Sequence, residues 1–234
     1  MASLTSPTPT PTPAAERTTR PNWIERHHFL LRRLHSLSGI VPVGGFLLFH
    51  FYENGAIFYG AGAYDKMATD ARDLRYLILI EIALIFIPFL YHALYGLFIA
   101  SYARNNIASY SYGRNNLFMW QRITGIFLLL FIVYHIWTFR FVAFRDVHAD
   151  TATIAASISV LPVFIFYLIG VISAGFHLGN GLWTFCITWG LTVGKRAQRI
   201  SQYVTTALSI LVSLVGVAIA VAFVMQAGGL KLWF

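Results

Sequence analysis

Five long apolar stretches dominate the sequence and leave few folds open to it. They lie near residues 34–53, 74–101, 117–139, 157–190 and 203–226. A helix that crosses a bilayer needs about 20 mostly apolar residues, and each stretch meets or exceeds that length. The second and fourth stretches are longer than one crossing, so we expect them to tilt or to extend into water. The pattern predicts an all-α integral membrane protein with five transmembrane helices.

The composition excludes most soluble classes of protein. Of the 234 residues, 57% are hydrophobic and only 11% are charged, whereas about a quarter of the residues are charged in an ordinary soluble domain. A soluble fold of this length could not bury so much apolar surface. The single cysteine, Cys186, lies in an apolar stretch. Disulfide, iron–sulfur and thiolate zinc sites within the chain all need more sulfur than this.

The charges divide unequally between the two sides of the predicted bundle. One side holds the amino-terminal region, a predicted loop over 102–116 and another over 191–202. Its net charge is +9, from Glu16 and Glu25 and eleven cations: Arg17, Arg20, Arg26, Arg32, Arg33, Arg104, Arg114, Arg122, Lys195, Arg196 and Arg199. The other side is neutral, with Lys66, Arg72, Arg75, Arg140, Arg145 and Lys231 against Glu53, Asp65, Asp70, Asp73, Asp146 and Asp150.

Lys and Arg accumulate in the cytoplasmic loops of membrane proteins. The amino terminus is therefore predicted to be cytoplasmic and the carboxyl terminus to be outside. Glu81, inside a span, contributes the remaining −1, and the formal net charge of +8 then reflects membrane topology and not nucleic-acid binding.

The first 25 residues differ in composition from the rest of the chain. They are rich in Ser, Thr, Ala and alternating prolines, and such a segment cannot form a buried core. No apolar stretch follows a basic start, so we expect no signal peptide here. We predict a disordered Pro/Thr-rich cytoplasmic tail over residues 1–25 and a membrane domain over residues 26–234.

Four histidines lie inside the predicted spans, one in each of the first four: His50, His92, His135 and His177. One such residue would be explained by helix packing, but ionisable residues in spans are costly and usually functional, and four in succession favour a bound group. Counting along each helix places His50 and His135 toward the outside and His92 and His177 toward the cytoplasm. The two layers are about 10–15 Å apart at a rise of ~1.5 Å per residue.

Each layer offers two imidazoles and no obvious acid, which is a poor ligand set for zinc. Two axial imidazoles on opposite faces instead match six-coordinate haem b, in which the porphyrin supplies the other four ligands. The glycines Gly39, Gly96 and Gly181 share the inner depth and make room either for a macrocycle or for close helix packing. Pro42 and Pro88 are predicted to kink the first two spans.

Four stretches of sequence carry a family resemblance. They are RRLHSLSGIVPVGGFLLFH (32–50), FIPFLYHALYG (86–96), YSYGRNNLFMWQRITGI (110–126) and FHLGNGLWTF (176–185). The sequence resembles the di-haem cytochrome b membrane anchor of succinate dehydrogenases and fumarate reductases over about residues 26–226, most of all the single-chain, five-helix type of bacteria such as bacilli.

The resemblance implies a haem-binding four-helix bundle with a fifth peripheral helix. It implies two haem b: an outer one with iron ligands His50 and His135, and an inner one of higher potential with ligands His92 and His177. It also implies a bacterial cytoplasmic (inner) membrane protein that anchors a flavoprotein and an iron–sulfur subunit on the cytoplasmic face. Electrons then pass through the haems to a quinone, which in this branch is usually menaquinone, and the subunit itself has no chemistry on succinate.

For several further residues the sequence is compatible with more than one role. His35 with Arg32 and Ser36 is expected at the cytoplasmic membrane surface, and Arg122 at the same depth; these residues can contact haem propionates, dock the iron–sulfur subunit or simply form the basic flank of the spans. Glu81 lies three turns outward from His92 on the same face. It can accept a proton at a quinone site or be a neutral, hydrogen-bonded carboxyl inside the bundle. Glu53, near His50, is a second such candidate.

Three alternatives to succinate:quinone oxidoreductase stay open. The same anchor can serve a quinol:fumarate reductase, since the partner subunits and the quinone potential set the direction. A transporter with a histidine path would lack haem absorption. A stand-alone di-haem quinol or ferric reductase would lack the flavoprotein and iron–sulfur partners.

Overall fold

The computed structural model describes residues 23–103, 112–141 and 150–232. These parts of the chain are helical and contain no β-strand; the backbones of Val160 and Lys231 form an isolated bridge. The α-helices are α1 (Trp23–Ser38), α2 (Gly45–Asn54), α3 (Ala61–Arg72), α4 (Leu77–Ile80), α5 (Ile87–Tyr102), α6 (Gly113–Ile136), α7 (Thr151–Ile158), α8 (Leu161–Thr188) and α9 (Lys195–Gln226). Most of the predicted tail lies outside the described residues, and its last three residues belong to α1.

The described residues contain five helical segments that are long and apolar enough to cross a membrane, which confirms the predicted all-α integral membrane fold. We number these segments as spans 1 to 5: Arg26–Tyr59, Leu77–Tyr102, Gly113–Arg140, Leu161–Thr188 and Lys195–Gln226. Large apolar side chains stay exposed along all of them, as expected where lipid replaces water around a protein. The chain is a multi-pass membrane protein.

Several predicted boundaries are wrong. Residues 113–116 and 195–202, predicted as loops, are the first turns of α6 and α9, and the first span begins well before residue 34. Polar and basic residues fill these extra turns, so hydropathy ends before the helix does. The two helices α3 and α7, which follow spans 1 and 3, were not predicted because, at 12 and 8 residues, both are too short to register as spans.

Both predicted kinks coincide with irregular helix. Residues Gly39–Gly44, which include Pro42, form a π-helical turn between α1 and α2. A second π-helical segment, Glu81–Phe86, ends just before Pro88 in the first turn of α5. A proline has no N–H to donate and its ring crowds the preceding turn. A wider π turn accommodates both effects and is frequent at functional sites.

Spans 4 and 5 form the closest helix pair. A Cβ atom added at Gly175 would collide with the Ser213 hydroxyl, and one added at Gly179 would lie 2.6 Å from both the Ser209 Cβ and the Thr205 carbonyl oxygen. Small residues four apart therefore face each other across the interface, the usual way for membrane helices to approach closely. Span 5 is thus fixed to one side of the bundle, against span 4.

The ends of spans 1, 4 and 5 are covered by α3 and α7. Asp65 of α3 accepts hydrogen bonds from the backbone N–H and the hydroxyl of Thr151 (2.7 and 2.8 Å) at the start of α7. Tyr64 packs edge-on against Phe223 of span 5, with ring centroids 4.9 Å apart. Burial raises the pKa of Tyr64 to about 12, so its phenol is neutral at physiological pH. This cap closes the end of the bundle near His50 and His135.

Candidate functional site

The first four spans surround a continuous cavity of about 1950 Å³. Pockets for small molecules usually measure about 300–1,000 Å³, and folded interiors have few voids larger than a water molecule. The most apolar window of span 2 contains no buried residue, because this span packs only loosely against its neighbours. Span 5 also contributes to the wall, through Gly216, Ile219, Ala220 and Phe223. The volume is large enough for more than one bulky ligand.

The four span histidines meet in two pairs across this cavity. The ring centroids of His50 and His135 lie 5.7 Å apart with ring planes at 86°. Those of His92 and His177 lie 6.1 Å apart at 83°. Two imidazoles that bind one metal ion from opposite sides, each through a nitrogen about 2 Å from the metal, place their centroids about 6 Å apart. Both pairs therefore have the spacing of a two-histidine metal site.

The inner pair, His92 and His177, is held by hydrogen bonds from neighbouring spans. Nδ1 of His92 donates to the carbonyl oxygen of His35 (2.9 Å). The Thr124 hydroxyl donates to the Trp120 carbonyl (2.7 Å), and its oxygen lies 3.3 Å from Nδ1 of His177. In both rings the Nδ1 contact leaves Nε2 as the nitrogen available to a metal. Such partners fix the tautomer and orientation of ligating histidines.

A buried amide pair also links spans 3 and 4 beside His177. The Gln121 side-chain amide donates to the carbonyl oxygen of His177 (3.1 Å) and accepts from the Asn180 amide (2.7 Å). The two amides satisfy each other in an apolar environment, where an unpaired polar group is costly. They fix the backbone that carries the histidine.

The two histidines of the outer pair, His50 and His135, have different hydrogen-bond partners. Nδ1 of His135 lies 3.2 Å from the Tyr167 hydroxyl of span 4, and its ring stacks on Phe131. His50 is approached by the Asn54 amide on its own helix, 3.3 and 3.4 Å from the two ring nitrogens. That amide donates more closely to the His50 carbonyl oxygen (2.8 Å). The described contacts therefore orient the His135 ring from another span and the His50 ring from its own helix.

Glycines give these rings their room. A Cβ at Gly39 would collide with the His92 ring, one at Gly96 would lie 3.1 Å from the His35 ring, and one at Gly125 would lie 2.9 Å from Cε1 of His177. Gly181 faces the Gln121 amide at 3.4 Å. The predicted glycines border the cavity, but the space they leave is taken by side chains. These glycines therefore give clearance to the His92 and His35 rings and to the Gln121 amide.

His35, predicted near the cytoplasmic membrane surface, packs directly against the inner histidine His92. Its ring stacks on His92 with centroids 4.1 Å apart and planes 9° apart, and its Nδ1 is buried without a hydrogen-bond partner. The contact between α1 and α5 places residue 35 beside span 2.

The other residues predicted at the cytoplasmic end of the bundle make different contacts from one another. Arg32 is exposed and borders the cavity. Ser36 accepts a hydrogen bond from the Trp189 indole (3.0 Å). Arg122 donates to the Ala103 carbonyl (3.0 Å) and lies over the Phe118 ring, so it closes the end of α5. Arg32, Ser36 and Arg122 all line the inner mouth of the cavity.

Glu81 forms an ion pair that the sequence analysis missed. Its carboxylate lies 2.5 Å from the guanidinium of Arg140, at the end of span 3, and both side chains are largely shielded from solvent. Glu81 begins one π-helical segment, and Arg140 lies in another, Trp137–Phe141. The carboxyl is thus hydrogen-bonded by a cation of span 3, and both residues line the cavity. Glu53 also lines the cavity.

Protein side chains alone do not complete a metal site in the described regions. No three His, Cys, Asp or Glu side chains among these residues come together closely enough to hold an ion. Two imidazoles across a wide apolar space suit a group that brings its own equatorial ligands, and haem b is such a group. The residues present therefore fit two haems.

Comparisons with known proteins agree with this arrangement. The family described as succinate dehydrogenase/fumarate reductase transmembrane subunit matches residues 112–223. The chain is 44% identical over 196 residues to the succinate dehydrogenase cytochrome b558 subunit of Bacillus subtilis (strain 168), which covers 84% of this chain and 97% of that relative. The chain belongs to the succinate dehydrogenase/fumarate reductase transmembrane subunit family. The resemblance read from the quoted motifs is confirmed.

Three partners of the predicted residues were not predicted from the sequence: Thr124, Tyr167 and Arg140. Thr124 lies inside a quoted motif, three residues after Gln121, where helical spacing places both on one face. A carboxylate in a span calls for a cation, which could have directed attention to Arg140. Tyr167 has no comparable signal, because a tyrosine in an apolar span is ordinary.

Proposed function

We propose that this chain is the electron-transferring membrane anchor of a succinate:quinone oxidoreductase and carries two haem b. The observation that carries the proposal is the meeting of four histidines, from four spans, as two pairs across one cavity. His50 and His135 would hold the outer iron, and His92 and His177 the inner iron. When bound, the haems supply one-electron transfer across the membrane.

The chain's own residues position and insulate these groups. Thr124 and the His35 carbonyl hold the inner imidazoles with Nε2 toward the cavity. The apolar walls exclude water from the space between the pairs and lower its effective dielectric. Arg32, His35, Ser36 and Arg122 are proposed to contact haem propionates from the inner mouth, where cations and hydroxyl groups suit carboxylates.

We propose a quinone, and specifically menaquinone, as the electron acceptor, with Glu81 as the proton acceptor or donor at its site. The Arg140 pair supports this role, because it holds the Glu81 carboxyl in a defined place at the wall of an apolar cavity. A carboxylate there can take up a proton from the aqueous phase and pass it to the quinone, which gains one proton for each electron on reduction to the quinol.

The partners and the orientation follow from the charge distribution and the family. The cationic ends of the spans, around α1 and the start of α9, would face the cytoplasm. A flavoprotein and an iron–sulfur subunit would dock there, and lipid would cover the remaining apolar surface. The amino terminus would be cytoplasmic and the carboxyl terminus outside. The same subunit in a quinol:fumarate reductase is the second candidate, since the matching family covers both enzymes.

Single replacement of the four histidines by leucine tests the haem assignment. In the purified complex, His50→Leu and His135→Leu should remove one spectroscopic haem, and His92→Leu and His177→Leu the other. His27→Leu is the matched control, since its ring bonds to the Trp23 carbonyl at an exposed site. Loss of the same haem on replacing His50 and His92 would contradict the proposed pairing.

A further inference from the structure

The outer histidines differ in how their rings are held, and this difference depends on a single hydroxyl group. Among the four span histidines, His135 is the one whose Nδ1 contacts a phenol, at 3.2 Å from the Tyr167 hydroxyl. Its partner His50 has the Asn54 amide of its own helix. We propose that Tyr167 is a positioning residue that orients His135 and sets the reduction potential of the outer haem. This inference rests on the proposed function.

The surroundings of Tyr167 hold the phenol in place. Tyr167 is buried, with 7% of its surface exposed, and its ring packs edge-on against Phe131 with centroids 5.2 Å apart. Phe131 in turn stacks on His135. A Cβ at Gly170 would collide with the Phe131 ring, so span 4 leaves room for that ring beside Tyr167. Histidine, phenylalanine and tyrosine thus form one packed unit across spans 3 and 4.

The direction of the hydrogen bond follows from ligand chemistry. An imidazole that binds iron through Nε2 carries its proton on Nδ1, so Nδ1–H donates and the phenol oxygen accepts. Such a hydrogen bond increases the electron donation of the imidazole to the metal. Stronger donation stabilises oxidised iron, and the Tyr167 hydroxyl therefore lowers the potential of the outer haem. The inner ligands, held by Thr124 and the His35 carbonyl, do not depend on it.

The test is Tyr167→Phe, which removes only the hydroxyl. Tyr134→Phe is the matched control, because Tyr134 packs against Tyr167 (centroids 6.4 Å apart) and neighbours His135 in the chain. Both variants are purified as the whole complex and titrated potentiometrically, with His50→Leu used to assign the outer haem. We expect Tyr167→Phe to raise the midpoint potential of the outer haem. At a fixed ambient potential, the ratio of reduced to oxidised outer haem should increase by up to tenfold, which corresponds to about 59 mV for one electron. The inner potential and both potentials of Tyr134→Phe should not change.

Loss of the outer haem alone in Tyr167→Phe would also support the role, as the ligand would no longer be held. An unchanged outer potential with two haems bound would overturn it, and so would equal effects on both haems, which indicate general packing. Failure of the proposed function is distinguishable, because the unmodified complex would then contain no haem.

Discussion

At the scale of single residues, ring orientation matters as much as ring position. The four span histidines point into an open cavity, and His92, His135 and His177 each have an Nδ1 contact to a neighbouring span. Without those contacts an imidazole could rotate about its side-chain bonds. Ligands that are already ordered bind a metal without losing further side-chain conformational entropy.

The Glu81–Arg140 ion pair leads to a prediction about quinone chemistry. Glu81→Gln keeps the shape of the side chain but removes the charge that can exchange a proton. General acid–base groups contribute about 10²–10⁴-fold to rates, so we expect quinone reduction to fall about 100-fold. Electron transfer from succinate to a water-soluble dye should stay unchanged, and both haems should remain. The comparison of quinone and dye assays on the purified complex measures this.

The control for Glu81→Gln is Asp70→Asn, which breaks an exposed ion pair with Lys66 (2.6 Å) on α3. It should leave both assays unchanged, because exposed pairs contribute little. Full quinone reductase activity in Glu81→Gln would remove Glu81 from the proton pathway.

Gly125 supports a prediction about the inner site. In Gly125→Ala the new methyl group would lie 2.9 Å from Cε1 of His177, so the ring must move. We expect the inner haem to be lost or its electron paramagnetic resonance signal to shift, with the outer haem unchanged. Gly45→Ala is the control, since no atom lies within 4 Å of its added Cβ. An inner signal identical to that of the unmodified complex would show that Gly125 does not position His177.

Which residues could be predicted at this scale follows from their chemistry. The histidines and Glu81 are visible in sequence because ionisable groups stand out in apolar spans. The Tyr167–His135 and Glu81–Arg140 contacts are not, because they depend on how each helix is rotated about its axis. His35 shows the same limit, since the count of turns predicted its distance from His50 but not its stacking on His92.

At the scale of helices, the irregular segments and the close packing divide the bundle in two. Spans 1, 2 and 3 contain π-helical segments, whereas spans 4 and 5 are regular and pack tightly against each other. All five spans contribute to the cavity wall. The number of spans was predictable from hydropathy, which reports apolar length. The helix ends were not, since polar helical turns resemble loops in composition. The caps α3 and α7 were not either, since each is much shorter than a span.

The packing of spans 4 and 5 leads to a stability prediction. In Gly179→Val the side chain would collide with the backbone of α9, where Thr205 and Ser209 lie 2.6 Å from the added Cβ. We expect a loss of about 1–3 kcal/mol, as is typical of overpacking. Thermal unfolding of the purified complex measures it, with Gly45→Ala as the control. An unchanged Tm would mean that spans 4 and 5 move apart to accommodate the valine with no loss of stability, and would contradict the prediction.

At the scale of the whole molecule, the cationic side and the five spans predict opposite locations for the two termini. Alkaline phosphatase, which is active only outside the cytoplasm, should be active when fused at the carboxyl terminus. Fused after Gly194, between spans 4 and 5, it should be inactive. Activity in the reverse pattern would invert the topology and would move the proposed subunit docking to the other face.

The central claim is that two histidine pairs each hold one haem b. The most direct test is a pyridine haemochrome count per copy of this chain in the purified complex, together with its reduced-minus-oxidised spectrum. We expect two low-spin b haems per chain. One haem would return one histidine pair to a structural role, and no haem in a folded complex would contradict the account.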